Sequence, residues 1–199
     1  MRLRTVDITF GAVFVCLMAI GANVTAWFPI LAIPIGGVTV PVSLQTFFSI
    51  LAGLILGKRL GSISMITYAL IGYAGVPVFA NFSAGPTSIV SPLGGFIISF
   101  IFVAFFTGLV AEQFKRPSVV SYSIAAIVGL VVNYSIGVTY MYIASNMWLE
   151  LPIGYATAWI GMIPFLIKDF GLSIVAAFFM VAVAKRIPTL LPRAELPSK

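Results

Sequence analysis

Residues 163–170 read I-P-F-L-I-K-D-F (Ile163–Phe170) and set Lys168 beside Asp169 at the start of an apolar run that continues to about Ala184. An ionised side chain at the centre of a membrane helix costs about 2.5–3.5 kcal/mol on insertion scales, so such residues usually line a cavity or a site. The plainer reading puts the pair at the membrane interface, where it neutralises itself. The chain has no histidine and only five acidic residues, which makes a charged pair inside a hydrophobic segment informative.

Composition sets the class. At 199 residues, 61% hydrophobic and 8% charged, the chain has too few polar side chains to cover a soluble domain. Its length suits one integral membrane domain, residues 1–199, of five to seven spans of about 20 residues each. The net charge of +6 does not point to nucleic acid, because the basic residues fall in short clusters between apolar runs and form no basic face. The single cysteine, Cys16, excludes an intramolecular disulfide or a cysteine metal cluster. Met1–Phe28 carries Arg2 and Arg4 ahead of an apolar stretch too long for a cleaved signal, and reads as a retained helix.

Working outward from Asp169, six spans fit, at about 8–28, 44–57, 60–75, 92–111, 119–143 and 161–184. Ten of the eleven basic residues (Arg2, Arg4, Lys58, Arg59, Lys115, Arg116, Lys185, Arg186, Arg193 and Lys199) then fall on one side, which the positive-inside rule makes cytoplasmic for both termini. Residues 29–43 and 76–91 are uncharged, rich in Pro and Gly, and largely apolar. Segments of this kind are expected to fold back over the bundle as lids or re-entrant pieces. The third outer loop, around Asn146–Thr157, carries Trp148 and Tyr155, which with Trp27 and Trp159 suggest an interfacial belt. Sixteen residues separate Asp169 from Lys185, or about 24 Å of helix, so a membrane core of about 30 Å places Asp169 in its outer part.

Several motifs admit two readings. Gly53, Gly57 and Gly61 form a GxxxG series suited to close helix contact. Gly57-Lys58 does not complete a phosphate-binding loop, since Ala52 and Arg59 stand where that motif needs Gly and Ser or Thr. In the first span Gly11, Ala12, Cys16, Ala19 and Asn23 make a small-residue face, for packing within the bundle or for docking a separate membrane subunit. Ser91-Pro92-Leu93-Gly94-Gly95 suits helix initiation, and its glycine pair leaves N–H groups approachable by anionic or carbonyl oxygen. Asn133, Gly137 and Tyr140 lie at i, i+4 and i+7, a face suited to a small polar ligand or to interhelical hydrogen bonding.

Five stretches resemble one family. They are P-V-S-L-Q-T-F-F (Pro41–Phe48), L-A-G-L-I-L-G-K-R-L-G (Leu51–Gly61), Y-A-L-I-G-Y-A-G-V-P-V-F-A (Tyr68–Ala80), S-P-L-G-G-F (Ser91–Phe96) and G-M-I-P-F-L-I-K-D (Gly161–Asp169). In order and spacing they are similar to the substrate-binding S components of energy-coupling factor (ECF) vitamin transporters, closest to the biotin-specific BioY group. The resemblance implies an all-α, six-transmembrane-helix bundle whose outer loops close a pocket for biotin, bound from outside. It implies that Asp169, Asn81 and Gln45 read the ligand. Two departures stand out: Leu172 replaces a Lys common in the family, and S-P-L-G-G-F replaces G-P-T-G-G-Y.

The sequence therefore leads to a non-enzymatic biotin-binding subunit without cofactor or metal, in the plasma membrane of a prokaryote. A transmembrane coupling subunit and two ATPase subunits are its expected partners, met through Ala12, Cys16 and Ala19. The ligand-binding set is Asp169, Lys168, Asn81, Gln45, Gly94, Gly95, Asn133 and Tyr140, with Phe79, Phe82, Phe96 and Phe165 as aromatic candidates and Lys168 or Gly94–Gly95 for the carboxylate. An S component for another vitamin is the nearest rival. A membrane enzyme using Asp169 as base lacks a partner group, and a channel should show polar residues along several spans.

Overall fold

The computed structural model describes residues 5–31, 33–35, 38–40, 42–114 and 118–186. A segment surrounded by hydrocarbon must pair its backbone groups within itself, so long apolar runs become helices. The elements in chain order are α1 (Thr5–Ala22), α2 (Val24–Trp27), a 3-10 turn (Pro29–Leu31), the strands β1 (Ile33–Ile35) and β2 (Val38–Val40), and α3 (Gln45–Tyr73). A second 3-10 turn (Ala80–Phe82), α4 (Pro86–Val90), α5 (Gly94–Gln113), α6 (Val119–Met147) and α7 (Tyr155–Arg186) follow. Five of these helices, α1, α3, α5, α6 and α7, are long and apolar enough to cross a membrane. Their outward faces carry large apolar side chains, among them Val131 on α6 and Ile160, Ile167 and Phe178 on α7. Only a hydrocarbon surround makes such a surface favourable.

Helix α3 is folded in two. Gly57 has φ 76° and ψ 174°, far from helical values. Gln45 Nε2 donates to the Tyr68 hydroxyl at 2.9 Å across 23 residues, which in a straight helix would stand about 35 Å apart. The two arms lie against each other, since a Cβ on Gly61 would sit 2.9 Å from the Ala52 carbonyl oxygen. Of the GxxxG series, Gly53 and Gly61 are contact glycines, whereas Gly57 makes the reversal. Glu112 of α5 holds that turn, accepting from the Lys58 N–H at 3.0 Å and pairing with Lys58 Nζ at 2.9 Å.

α3 packs on α1 and α5, α5 on α6, and α6 on α7. The reversal at Gly57 therefore shares one end of the bundle with the start of α1 and the end of α7, where Lys185 and Arg186 lie. Arg2, Arg4, Lys115, Arg116, Arg193 and Lys199, which the charge argument also uses, lie outside the described residues.

Three boundaries differ from the sequence reading. The first span stops at Ala22, not 28, because Asn23 Nδ2 donates to the Ala19 carbonyl at 3.0 Å and the backbone leaves the helical path there. α7 begins at Tyr155, not 161, and runs through Pro164, whose missing N–H a membrane helix tolerates. The segment around residues 29–43 contains an antiparallel hairpin, with Ile33 opposite Val40 and Ile35 opposite Val38. I-P-I and V-T-V flanking Gly36-Gly37 was the available signal for it.

The conformation of Gly57 is one that essentially only glycine adopts. Gly57→Ala should destabilise the fold by about 1–3 kcal/mol. Thermal unfolding of the detergent-solubilised variant checks this, and an unchanged midpoint contradicts it.

Candidate functional site

The site begins where the chain enters α3. The first helical turn buries Gln45 and Thr46 together, Gln45 meeting Tyr68 of the other arm of α3 and Thr46 meeting α7. Asp169 lies in the middle of α7 and is 4% exposed. Its Oδ2 accepts from the Thr46 hydroxyl at 2.9 Å and from the Tyr134 hydroxyl of α6, also at 2.9 Å. Thr46 Oγ1 in turn accepts from Asn133 Nδ2 at 3.2 Å, and Asn133 Oδ1 accepts from the Ser99 hydroxyl of α5 at 2.6 Å. One polar chain thus links α5, α6, α3 and α7 through the apolar core.

The other carboxylate oxygen behaves differently. Asp169 Oδ1 lies 2.7 Å from Lys168 Nζ, yet it accepts no hydrogen bond of good geometry among the described residues. Neighbours on a helix diverge by about 100°, so the lysine stem has to fold back to reach the carboxylate and meets it off-axis. Lys168 Nζ also donates to the Ser43 carbonyl oxygen. Asp169 therefore keeps one oxygen with unused acceptor capacity beside an ammonium group.

Both groups border a cavity of about 390 Å³, the size of a small-molecule site. Ser43, Gln45, Thr46, Asn133 and Tyr134 continue its polar side, and Phe96, Ile97, Phe100, Met162 and Phe165 form apolar walls. The remaining side comes from the irregular segment after α3: Phe79, Ala80, Asn81, Ser83, Thr87, Ser88 and Ser91. Phe79 anchors that segment. It is 1% exposed, stands edge-on to Tyr68 at 5.5 Å between centroids, and occupies space that a side chain on Gly72 would fill. Tyr68 completes the joint by accepting from Gln45 and donating to the Val78 carbonyl at 3.0 Å. Further along, the Tyr140 hydroxyl and Trp148 Nε1 donate to the carbonyls of Ile89 and Val90 at 2.7 and 2.9 Å.

Among the residues singled out from sequence, Asp169, Lys168, Asn81, Gln45 and Asn133 are brought together at the cavity. Gly94, Gly95 and Tyr140 lie outside its lining. The glycine pair is packed: a Cβ on Gly94 would lie 1.7 Å from the Ile89 oxygen, and one on Gly95 would lie 2.2 Å from Tyr140 Cβ. The Gly94 N–H is already taken by the Ser91 carbonyl at 2.9 Å. The gap at Gly137 is filled by the Phe96 ring. Phe82 turns outward, half-exposed, edge-on to Trp27. Leu172 is half-buried and also outside the lining. Sequence reasoning passed over Thr46 and Tyr134, although each adjoins a residue it chose. On α1, Gly11 and Asn23 are buried, Ala19 is half-buried, and Ala12 and Cys16 face outward.

Comparison with known proteins gives the family. Residues 1–189 match the BioY family. The chain is 42% identical to BioYB of Bacillus subtilis over 186 residues, covering 94% of this chain and 91% of that protein. It is 36% identical to the biotin transporter BioY of Thermotoga maritima over 175 residues, 88% of this chain and 94% of that one. In fold it is similar to a crystal structure of the S-component for biotin from an ECF-type ABC transporter, with a TM-score of 0.68, 22% identity, and coverage of 93% and 96% of the two chains. A bundle of apolar helices around a buried carboxylate, matched to these relatives over almost its whole length, places the chain in the BioY family of membrane transport proteins.

Proposed function

We propose that this chain binds biotin from the outer side of the membrane and supports its uptake as the S component of an ECF-type transporter. The observation that carries this is Asp169, buried at the cavity lining with Oδ2 bonded by Thr46 and Tyr134 and Oδ1 ion-paired with Lys168 alone among the described residues. Biotin offers what such a site lacks. Its ureido group presents N–H donors beside a strong acceptor, the complement of the carboxylate and ammonium that Asp169 and Lys168 pair at 2.7 Å and that a ligand would part. The apolar ring edge and valeryl chain suit walls of Phe79, Phe96, Phe100 and Phe165. Of the two groups considered for the carboxylate, Gly94–Gly95 lies outside the cavity lining, and Lys168 borders it but is engaged with Asp169 at the ureido end. Binding and release need no covalent step, and the relatives are transporters, not enzymes.

The finer architecture belongs to the same reading. The two arms of α3 are each taken as a crossing, making six, with Lys58, Arg59, Lys185 and Arg186 together at the cytoplasmic end. The segment 76–91 then acts as an outer lid over the cavity. The plasma membrane of a prokaryote is the proposed location, in keeping with the bacterial relatives. Ala12 and Cys16, exposed on α1, with Ala19 beside them, are the proposed contact for the coupling subunit. Two ATPase subunits supply the energy, since the sequence has no nucleotide-binding loop.

Equilibrium binding of biotin to the purified protein, with riboflavin, thiamine and lipoate as competitors, tests the ligand. Biotin alone should bind tightly. Asp169→Ala should weaken it at least about 100-fold, as expected for truncating a buried, hydrogen-bonded charge. Leu172→Ala should change affinity less than about threefold, because it removes packing only. Tight binding of a different vitamin keeps the fold and discards biotin, and equal losses in the two variants refute the placement of the site.

Orientation has its own test, in a Cys16→Ser background. A membrane-impermeant maleimide should label Ser83→Cys in intact cells, and Arg59→Cys only after permeabilisation. The reverse pattern would invert the topology.

A further inference from the structure

The turn that puts Asn81 at the cavity is conformationally unusual. Asn81 and Phe82 have φ values of 57° and 54°, so two successive non-glycine residues are left-handed. Such backbone persists only where its surroundings fix it. Phe79 anchors the turn on one side by burial. On the other side the Phe82 ring cannot, because it is 50% exposed. Backbone bonds from Phe79 N–H to the Ser83 carbonyl and from Ser83 N–H to the Ala80 carbonyl close the turn on itself, and the side-chain bond that ties it to the bundle on this side runs from the Phe82 N–H to Asn23 Oδ1 at 2.7 Å. Asn23 is 2% exposed, and its Nδ2 is fixed by the Ala19 carbonyl at 3.0 Å, so both ends of the amide are committed.

We propose that Asn23 is a positioning residue for the ligand cavity: its buried amide, at the end of α1, locks the left-handed Asn81–Phe82 turn and so keeps Asn81 at the cavity lining. As a statement about ligand retention this rests on the function proposed above; as a statement about the turn it stands alone. Asn23 is not itself one of the residues that line the cavity. It also sits seven residues, or about two helical turns, beyond the outward-facing Cys16 of α1. A displacement of the end of α1 is therefore transmitted to the turn through this hydrogen bond, beside the edge contact of Trp27 with Phe82.

Two rates decide it: amide hydrogen exchange of Phe82 in the ligand-free protein, and dissociation of bound biotin. In Asn23→Ala both should rise about tenfold, the scale of one lost hydrogen bond, with the association rate little changed. In Asn23→Asp both should stay near wild type, because a neutral carboxylic acid can accept from Phe82 and donate to Ala19. If Asn23→Ala does not fold, Asn23→Ser carries the same expectation, its hydroxyl being too short to reach the Phe82 N–H. Unchanged Phe82 exchange in the folded variant overturns the proposal. Faster exchange with unchanged dissociation also overturns the positioning role. A wild-type protein that binds no biotin defeats the functional reading instead, while the exchange measurement still decides whether Asn23 holds the turn.

Discussion

A carboxylate buried among apolar helices is tolerable only when its oxygens are paired, and that requirement at Asp169 decides which helices meet. Packing of apolar surfaces cannot make the choice, because lipid tails are as apolar as leucine. Thr46 and Tyr134 bring α3 and α6 to the carboxylate of α7, and Asn133 extends the linkage to Ser99 of α5. Interhelical hydrogen bonds in membranes are worth about 0.6–2 kcal/mol each, so the chain of them is modest in sum. Its larger effect is on specificity. A rotation of α6 that removed Tyr134 or Asn133 would leave a buried charge and a buried amide short of partners.

The two ends of the bundle solve different problems. At the Gly57 end the reversal is tight, closed by glycine and by the Lys58–Glu112 pair, and it presents charge. At the other end the chain takes irregular paths between helices, which hydrocarbon forbids unless protein satisfies the backbone. Side chains of the helices do so: Asn23 for Phe82, Tyr68 for Val78, Tyr140 for Ile89 and Trp148 for Val90. The irregular segment is thereby tied to α1, α3 and α6, and it brings the hydroxyls of Ser83, Thr87, Ser88 and Ser91 to a cavity otherwise made by helices.

This division explains how much could be read from sequence. The apolar runs are legible because they have no other use, and Gly57-Lys58-Arg59 marks the reversal between two of them. Asp169 and Lys168 stand out against their surroundings, as do Gln45 and Asn133. Helix rotation is much less legible. In a soluble helix one face is apolar, but here the lipid-facing and core-facing sides both are, so periodicity carries little information. That is why α6 was read through Tyr140 when Tyr134 meets the carboxylate, and why Thr46, beside Gln45, went unremarked. Gly94 and Gly95 misled for a related reason. A glycine pair at a helix start signals either exposed N–H groups or close packing, and only the positions of Ile89 and Tyr140 tell which.

The two oxygens of Asp169 have different partners, and on the proposed reading they divide structure from recognition. Oδ2 is spent on the bundle, with two hydroxyl donors that hold it in place whether or not a ligand is bound. Oδ1 is paired with the ammonium of Lys168 at 2.7 Å, so on the proposed reading a ligand N–H reaches it only as that pair parts, and meets an acceptor already desolvated and oriented. Such a site loses little freedom on binding, because the ordering was completed when the helices packed. Lys168 then has a second use. Its Nζ donates to the Ser43 carbonyl, and an ammonium has three N–H donors, so on the proposed reading it keeps that bond while turning another N–H toward a ligand acceptor. A lysine one turn further along, at position 172, would place its charge over the same face of α7. With leucine there, the cation beside the Asp169 carboxylate is the neighbouring Lys168.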